Sequence, residues 1–169
     1  TDCGAHAFDE LSYPGDSIKQ EYKEDILVGY RWHDTKKVPA LFPFGHGLSY
    51  TTFTYGKPVA SAKAMAADGT LTVTVAVKNT GSIAGKEIVQ LYVGDDKCSV
   101  LRPVKELKHF AKVALAPGEE KSVTFTLTPD DLKFYDEASA AWKYEPGKFK
   151  AYVCASSADV RGVVSFEMQ

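Results

Sequence analysis

Apolar and polar residues alternate with a period of two along most of the chain after residue 70. Every second residue from Leu71 to Val77 is a large aliphatic residue, which is the pattern of a strand with one buried face. Residues 122–128 repeat this alternation, whereas Ile88–Val93 is almost continuously apolar, as in a central strand buried on both faces. Shorter strands are predicted at 109–115, 134–135, 141–144, 149–153 and 162–166.

Turn-forming sequences separate these runs about every ten residues. Examples are Asn79–Gly81, Pro117–Gly118 and Pro146–Gly147, where Gly, Pro and Asn favour tight turns. Such spacing predicts an all-β fold, an immunoglobulin-like (fibronectin type III-like) antiparallel sandwich of seven or eight strands. The residues expected to fill its interior are Leu71, Val73, Val75, Leu91, Val113, Phe125, Trp142, Phe149 and Phe166.

The first fifty residues lack this alternation. Residues 16–34 are predicted to form a short amphipathic helix with one stripe made by Tyr22, Ile26, Tyr30 and His33, although Gly29 disfavours helix. An irregular segment rich in aromatic residues and glycine follows at Leu41–Tyr50.

We therefore predict two parts, an irregular or partly helical extension at 1–48 and the sandwich at 49–169. Residues 20–50 carry six large rings, whose exposure to water would be costly. We expect these rings to cover the surface of another domain rather than to enter the sandwich. The six are Tyr22, Tyr30, Trp32, Phe42, Phe44 and Tyr50.

Composition narrows the choice of function. Apolar residues make up 44% and charged residues 25% of the 169 residues, and the net charge is −2, so a nucleic-acid partner is not expected. No apolar run approaches the roughly 18 residues of a membrane helix, and no membrane partner is expected. Histidine and cysteine show no metal-ligand spacing, so we predict neither a metal nor another cofactor.

The three cysteines, Cys3, Cys98 and Cys154, are far apart in sequence. An odd number allows one bridge at most, and a Cys98–Cys154 bridge requires their strands to lie close together. The alternative is that all three are free thiols, and the sequence leaves both interpretations open.

Several motifs together resemble a known enzyme family. They are the sequences VGYRWHD at residues 28–34, LFPFGHGLSYTTF at 41–53, RPVKEL at 102–107 and EPG at 145–147. This pattern resembles the C-terminal fibronectin type III-like region, with its preceding linker, of glycoside hydrolase family 3. That family includes β-glucosidases and β-xylosidases.

The resemblance implies a parent enzyme that is a retaining exo-acting glycosidase of periplasmic or secreted location. Its nucleophile and acid/base would lie in preceding domains, because a retaining mechanism needs two carboxyls about 5 Å apart across the scissile bond and the family motifs that carry them are absent here. The chain is therefore expected to be a non-catalytic accessory module, inactive alone. Its expected partners are the catalytic domains and a homodimer partner, with β-linked gluco- or xylo-oligosaccharides as substrates of the parent enzyme.

Two groups of residues are candidates for binding a sugar. Tyr30, Arg31 and Trp32 combine aromatic faces with a guanidinium group, which suits stacking on a sugar; their position between two domains favours domain docking. His46 lies between two glycines, either directed into a pocket or simply part of a tight turn. The runner-up function is an independent carbohydrate-binding or protein-interaction module.

Overall fold

The computed structural model describes Gly15 and residues 18–169. These residues form one α-helix, α1 (Tyr30–Lys36), a short 3₁₀ helix at Pro129–Leu132, and eleven strands. The strands are β1 (Phe53–Tyr55), β2 (Val59–Ala60), β3 (Ala64–Met65), β4 (Leu71–Asn79), β5 (Gly85–Asp95), β6 (Glu106–Leu115), β7 (Glu120–Leu127), β8 (Phe134–Asp136), β9 (Ala141–Lys143), β10 (Gly147–Cys154) and β11 (Val160–Met168).

The long strands form two sheets that pack face to face. In the first sheet β1 and β2 pair with one edge of β4, and β7 pairs with the other edge. The second sheet has the order β3-β11-β10-β5-β6 and is antiparallel except for the short β3–β11 pair. Strands β8 and β9 form a separate two-stranded ribbon. The predicted all-β sandwich is confirmed, with β1–β3 as additional strands too short for alternation to reveal.

The interior between the two sheets follows the predicted alternation. On β4, Leu71, Val73, Val75 and Val77 are buried while the intervening residues are partly exposed, and Phe125 of β7 lies beside Val73 in register. Seven of the nine predicted interior residues belong to the buried cluster, and Val113 packs against its margin.

Trp142, the ninth predicted interior residue, is 65% exposed, so its prediction was wrong. It lies on β9, directly opposite Tyr135 of β8. The ribbon stands outside both sheets, and its alternation turns Phe134 inward and Tyr135 and Trp142 outward. A local period of two predicts a two-faced strand but not which layer receives its apolar face.

The helix predicted at 16–34 is also wrong in its bounds. Residues 16–17 lie outside the described residues, Tyr22 and Ile26 are exposed before the helix, and α1 begins only at Tyr30. Asp25 and Gly29 have φ angles of 52° and 64°, values outside the right-handed helical region. The helix therefore starts after Gly29.

Cys98 and Cys154 are both free thiols, and Cys3 lies outside the described residues. The Cys98 thiol contacts the Val100 carbonyl, with 2.8 Å between Sγ and O. Cys154 is fully buried, and burial raises the pKa of its thiol to about 12. The buried thiol is therefore not a nucleophile at neutral pH.

We predict that two aromatic residues of β9 and β10 differ sharply in their contribution to stability. Phe149→Ala is expected to lower the free energy of unfolding by about 3–5 kcal/mol, because Phe149 lies in the sandwich interior. Trp142→Ala is expected to cost less than about 1 kcal/mol, because most of the ring is already in water. Urea unfolding of the two variants measures both values, and equal losses would place Trp142 in the core after all.

Candidate functional site

The N-terminal segment 27–47, called the docked segment below, lies on the outer face of the five-stranded sheet. Tyr92 and Cys154 project from that sheet away from the sandwich interior, since Leu91 and Val153 beside them fill the interior. Both are nevertheless fully buried. The Tyr30 ring meets the Tyr92 ring edge-on, with 5.7 Å between centroids. The docked segment therefore covers the outer face of the sheet and creates a second, smaller buried region there.

A buried ion pair joins α1 to the sheet. Asp34 Oδ2 lies 2.6 Å from Lys105 Nζ, and only 8% and 12% of the Lys105 and Asp34 side chains remain exposed. The Lys105 ammonium also lies 5.4 Å from the centroid of the Tyr92 ring, within the range of a cation–π interaction. Removing one partner of such a pair leaves a buried charge uncompensated.

Two backbone amides near the start of β6 also find their acceptors on α1. The Val104 amide donates to the Thr35 hydroxyl at 3.0 Å, and the Leu107 amide donates to the Tyr30 hydroxyl at 2.9 Å. Strand β6 is at the edge of its sheet, where unpaired amides would otherwise be open to other strands. The helix thus caps part of this edge.

The glycine-rich end of the docked segment is held by ring stacking and by a close backbone approach. Phe44 stacks on Tyr30 with 5.1 Å between centroids, and its carbonyl accepts a hydrogen bond from the Ser157 amide at 2.8 Å. Gly45 has a φ of 80°, and a Cβ there would lie 2.3 Å from Gln90 Nε2. Only glycine fits this position.

The sugar-binding candidates do not converge on one platform. Tyr30 contacts the sheet as described, and Arg31 Nη2 lies 3.2 Å from Glu106 Oε1. The Trp32 ring instead faces Lys36, whose ammonium is 5.4 Å from the ring centroid. A direct role in sugar binding for these residues stays a prediction.

His46 lies apart from the other candidates, in a neighbouring cleft of about 660 Å³. Its backbone amide donates to the Pro43 carbonyl at 2.9 Å and closes a turn, while its exposed ring lies 5.8 Å from the Phe42 ring. The turn needs the positive φ of Gly45, but Gly47 has an ordinary φ and open space around it. The turn therefore explains why residue 45 is a glycine but not why residue 47 is one.

Glu87 is a partly buried carboxylate on the wall of this cleft. Its Oε1 accepts a hydrogen bond from the Tyr55 hydroxyl at 2.7 Å. Burial raises the pKa of Glu87 above 4.5, opposed by the Tyr55 hydrogen bond and by Arg161. Burial and the nearby carboxylate also raise the pKa of Tyr55, so its hydroxyl stays protonated as the donor. This pair joins strands of the two sheets.

A second charged network links α1 to the β8–β9 ribbon. The buried Arg102 guanidinium lies 3.5 Å from Asp95 Oδ2 and 3.3 Å from Glu106 Oε2, and Nη1 donates to the Leu132 carbonyl at 3.1 Å. Glu106 is also the partner of Arg31 on α1. Sequence reasoning noted Asp34, Arg102, Lys105 and Glu106 only within the motifs at 28–34 and 102–107 and paired none of them, because Asp34 and Lys105 are distant in sequence.

Residues 41–50 expose several large apolar side chains. These are called the apolar surface below: Leu41, Phe42, Phe44, Leu48 and Tyr50. Leu48 and Tyr50 are 94% and 97% exposed. A cleft of about 500 Å³ opens beside it between α1 and the Phe42–Phe44 turn. Adjacent exposed apolar residues of this kind mark interaction sites.

Neither a metal site nor a membrane helix is found in the described part of the chain. Within Gly15 and residues 18–169, no three His, Cys, Asp or Glu side chains are arranged to hold a metal ion. In the same residues, no helix combines the length and apolar character needed to cross a bilayer.

Comparison with known sequences gives a consistent result. Residues 87–157 match the model of the fibronectin type III-like domain. The chain is 68% identical over 166 residues to β-glucosidase BoGH3A from Bacteroides ovatus, covering 98% of this chain and 22% of that protein. It is 51% identical to thermostable β-glucosidase B from Acetivibrio thermocellus, covering 89% of this chain and 20% of that protein.

Solved structures agree with these matches. DesR, a β-glucosidase from Streptomyces venezuelae solved with D-glucose, superposes with a TM-score of 0.87 at 43% identity, over 98% of this chain and 21% of that one. The GH3 β-glucosidase of Bifidobacterium adolescentis gives a TM-score of 0.85 at 35% identity, over 94% and 23%. The chain thus spans about a fifth of the length of these relatives, and the resemblance found in the sequence is confirmed.

We predict that the Asp34–Lys105 pair keeps the docked segment in place. Asp34→Ala leaves the Lys105 ammonium buried without its partner, which is expected to cost about 3–5 kcal/mol or to release the helix. Release would expose Cys154, so iodoacetamide should alkylate that thiol faster in the folded chain. Mass spectrometry of the peptides separates Cys154 from the other two cysteines.

Two control variants make this result specific. Asp130→Ala removes an exposed ion pair with Lys133, which is expected to contribute less than about 1 kcal/mol. Phe149→Ala lowers global stability without touching α1. If Cys154 is alkylated no faster in Asp34→Ala than in Phe149→Ala, at similar stability of the two variants, the position of the helix does not depend on the ion pair.

We also predict a pH effect of known sign at Glu87. Because burial raises its pKa in the folded state above 4.5, the folded chain takes up a proton before the unfolded chain does. The Glu87 contribution to the free energy of unfolding therefore increases as pH falls from the raised pKa towards 4.5. Glu87→Gln should remove this contribution.

Glu119 provides the opposite control for this pH effect. Hydrogen bonds from the Ala116 amide and Lys121 lower its pKa, so its contribution to stability is present above 4.5 and lost as pH falls through the lowered pKa. Urea unfolding is measured at pH values on both sides of 4.5 for wild type, Glu87→Gln and Glu119→Gln. The difference in free energy of unfolding between variant and wild type should change with pH in opposite directions for the two variants. The same slope for both variants would contradict the assignment.

Proposed function

Since the chain carries a fibronectin type III-like domain and is similar along almost its whole length to one fifth of several β-glucosidases, we propose that it is an accessory module of a family 3 glycoside hydrolase. In this proposal it contributes no catalytic residue. Its work is to hold the catalytic domains of the parent enzyme in place.

The parent enzyme is proposed to be a retaining β-glucosidase or a related exo-acting glycosidase. The relatives named above are β-glucosidases, and the chain covers only about a fifth of each. A retaining mechanism needs a nucleophile and an acid/base on the two sides of the glycosidic bond. We assign both to the part of the relatives that this chain does not match.

The exposure of the apolar surface is the observation that carries the proposal. Leu48 and Tyr50 are almost completely exposed, although each is worth about 2 kcal/mol or more when buried. The opposite side of the same segment is fixed to the sandwich by Tyr30, by Asp34 and by the backbone carbonyl of Phe44. A segment that is held on one side and apolar on the other is suited to join two bodies.

This geometry refines the proposed division of the chain. Residues 49–169 form the sandwich, and residues 1–48 are the extension proposed to pack on a preceding α/β domain. Within that extension, α1 contacts the sandwich through the Asp34–Lys105 pair. We propose that residues 27–48 move with the sandwich while their outer side contacts the catalytic part.

A matched pair of substitutions tests the proposal in the longer glycosidase. Leu48→Lys places a charge on the apolar surface, and Val59→Lys places the same charge on exposed edge strand β2, where lysine is well tolerated. Leu48→Lys is expected to lower both the melting temperature and the hydrolysis of aryl β-glucosides by that enzyme, and Val59→Lys to change neither. In the 169-residue chain alone, both variants should unfold like wild type.

Two outcomes would overturn the bracing role. One is that the longer enzyme responds to Leu48→Lys no more than to Val59→Lys. The other is that the 169-residue chain sediments as a dimer that Leu48→Lys dissociates, which would assign the apolar surface to a second copy of the chain.

A further inference from the structure

The β8–β9 ribbon presents an aromatic pair that the bracing role does not use. Tyr135 and Trp142 face each other across the two strands, with 5.8 Å between ring centroids and 72° between ring planes. They are 52% and 65% exposed. The rings form a corner, so that a flat ligand can stack on one ring while the edge of the ligand contacts the other ring.

The ribbon is fixed from behind, which holds this corner in place. Phe134 is buried between two cations, with Arg102 5.4 Å and Lys143 5.6 Å from its ring centroid. Asp136 accepts hydrogen bonds from the Ser139 amide and hydroxyl, and its Oδ2 lies 3.0 Å from Lys143 Nζ. Because the rings lie on paired strands, little conformational freedom is lost when a ligand binds.

The exposed neighbours of the pair are charged or short side chains, which argues against a protein partner. Those on the ribbon and before it are Asp130, Glu137, Ala138, Ser139, Ala140 and Ala141. A stable protein interface buries roughly 800 Å² on each partner around an apolar centre, and two isolated rings cannot supply that centre. Their area instead matches one or two sugar rings.

Hydrogen-bonding groups are also available at the corner. Within the described part of the chain, the Tyr135 hydroxyl and the Trp142 indole N–H make no hydrogen bond to protein. A buried Tyr or Trp usually has such a partner within the protein. Tyr135 and Trp142 are exposed instead, so their donors are open to a ligand. The Glu137 carboxylate is a further exposed polar group, next to the end of β8.

We propose that Tyr135 and Trp142 bind a pyranose unit of a β-linked glucan. A β-glucopyranose carries all its ring substituents equatorially, so that its two faces expose axial C–H groups. Such C–H groups interact favourably with the electron-rich face of an aromatic ring, while the equatorial hydroxyls reach the Tyr135 and Trp142 donors. The choice of a β-linked glucan rests on the proposed function. That Tyr135 and Trp142 bind a sugar ring is argued from the geometry of the ribbon alone.

Affinity electrophoresis of the 169-residue chain tests this site. In a native gel that contains soluble mixed-linkage β-glucan, wild type is expected to migrate more slowly than in a gel with the α-glucan glycogen. Trp142→Ala, which should leave stability nearly unchanged, is expected to abolish the retardation, and Tyr135→Ala to reduce it. Phe110→Ala removes another exposed ring, on β6 of the sandwich, and is expected to keep it.

Tryptophan fluorescence provides a second measurement. Titration with cello-oligosaccharides should change the emission of wild type and of Trp32→Phe, in which Trp142 is the remaining tryptophan, and should not change that of Trp142→Phe. Equal migration of wild type in both gels, or equal retardation of Trp142→Ala and Phe110→Ala, would overturn the proposal. These assays use the chain alone, so they are independent of the Leu48→Lys result in the longer enzyme.

Discussion

The ion pair between Asp34 and Lys105 is the contact on which the surface of this protein depends. It is largely shielded from water, and it joins a helix and a strand edge that the sandwich fold alone does not require to meet. Because an unpartnered charge at this depth is costly, the pair makes one position of the helix much more favourable than others. Tyr92 and Cys154 are buried beneath that helix, and the apolar surface is presented by the segment that follows it.

Charged side chains also connect the docked segment to the β8–β9 ribbon. Glu106 contacts both Arg31 on the helix and Arg102 beneath the ribbon, and Arg102 in turn contacts the Phe134 ring that anchors Tyr135 and Trp142. Networks of this kind are favourable when their members are satisfied and costly when one is lost. The orientation of the ribbon and that of the docked segment are therefore set by neighbouring parts of one network around β6.

The two exposed surfaces differ in the partner that they suit. The apolar surface has five large side chains within ten residues, next to a cleft, and matches the apolar centre of a protein interface. The ribbon has two rings among charged neighbours and suits a small polar ligand that stacks. In this proposal one domain serves both as a brace and as a sugar contact, because the two roles use different residues.

The sequence by itself determined the sandwich, because the alternation from Leu71 to Val77 and the turns that separate the strands are local properties that survive in any packing. It also predicted that the rings of Leu41–Tyr50 pack on a partner surface, which stays a prediction. It did not determine that α1 starts after Gly29, which depends on a positive φ, or that Trp142 lies outside the core, which depends on the layer its ribbon joins. Only the tertiary structure brought Asp34 to Lys105, 71 residues apart, since no local pattern encodes a contact between residues that meet only after both sheets have formed.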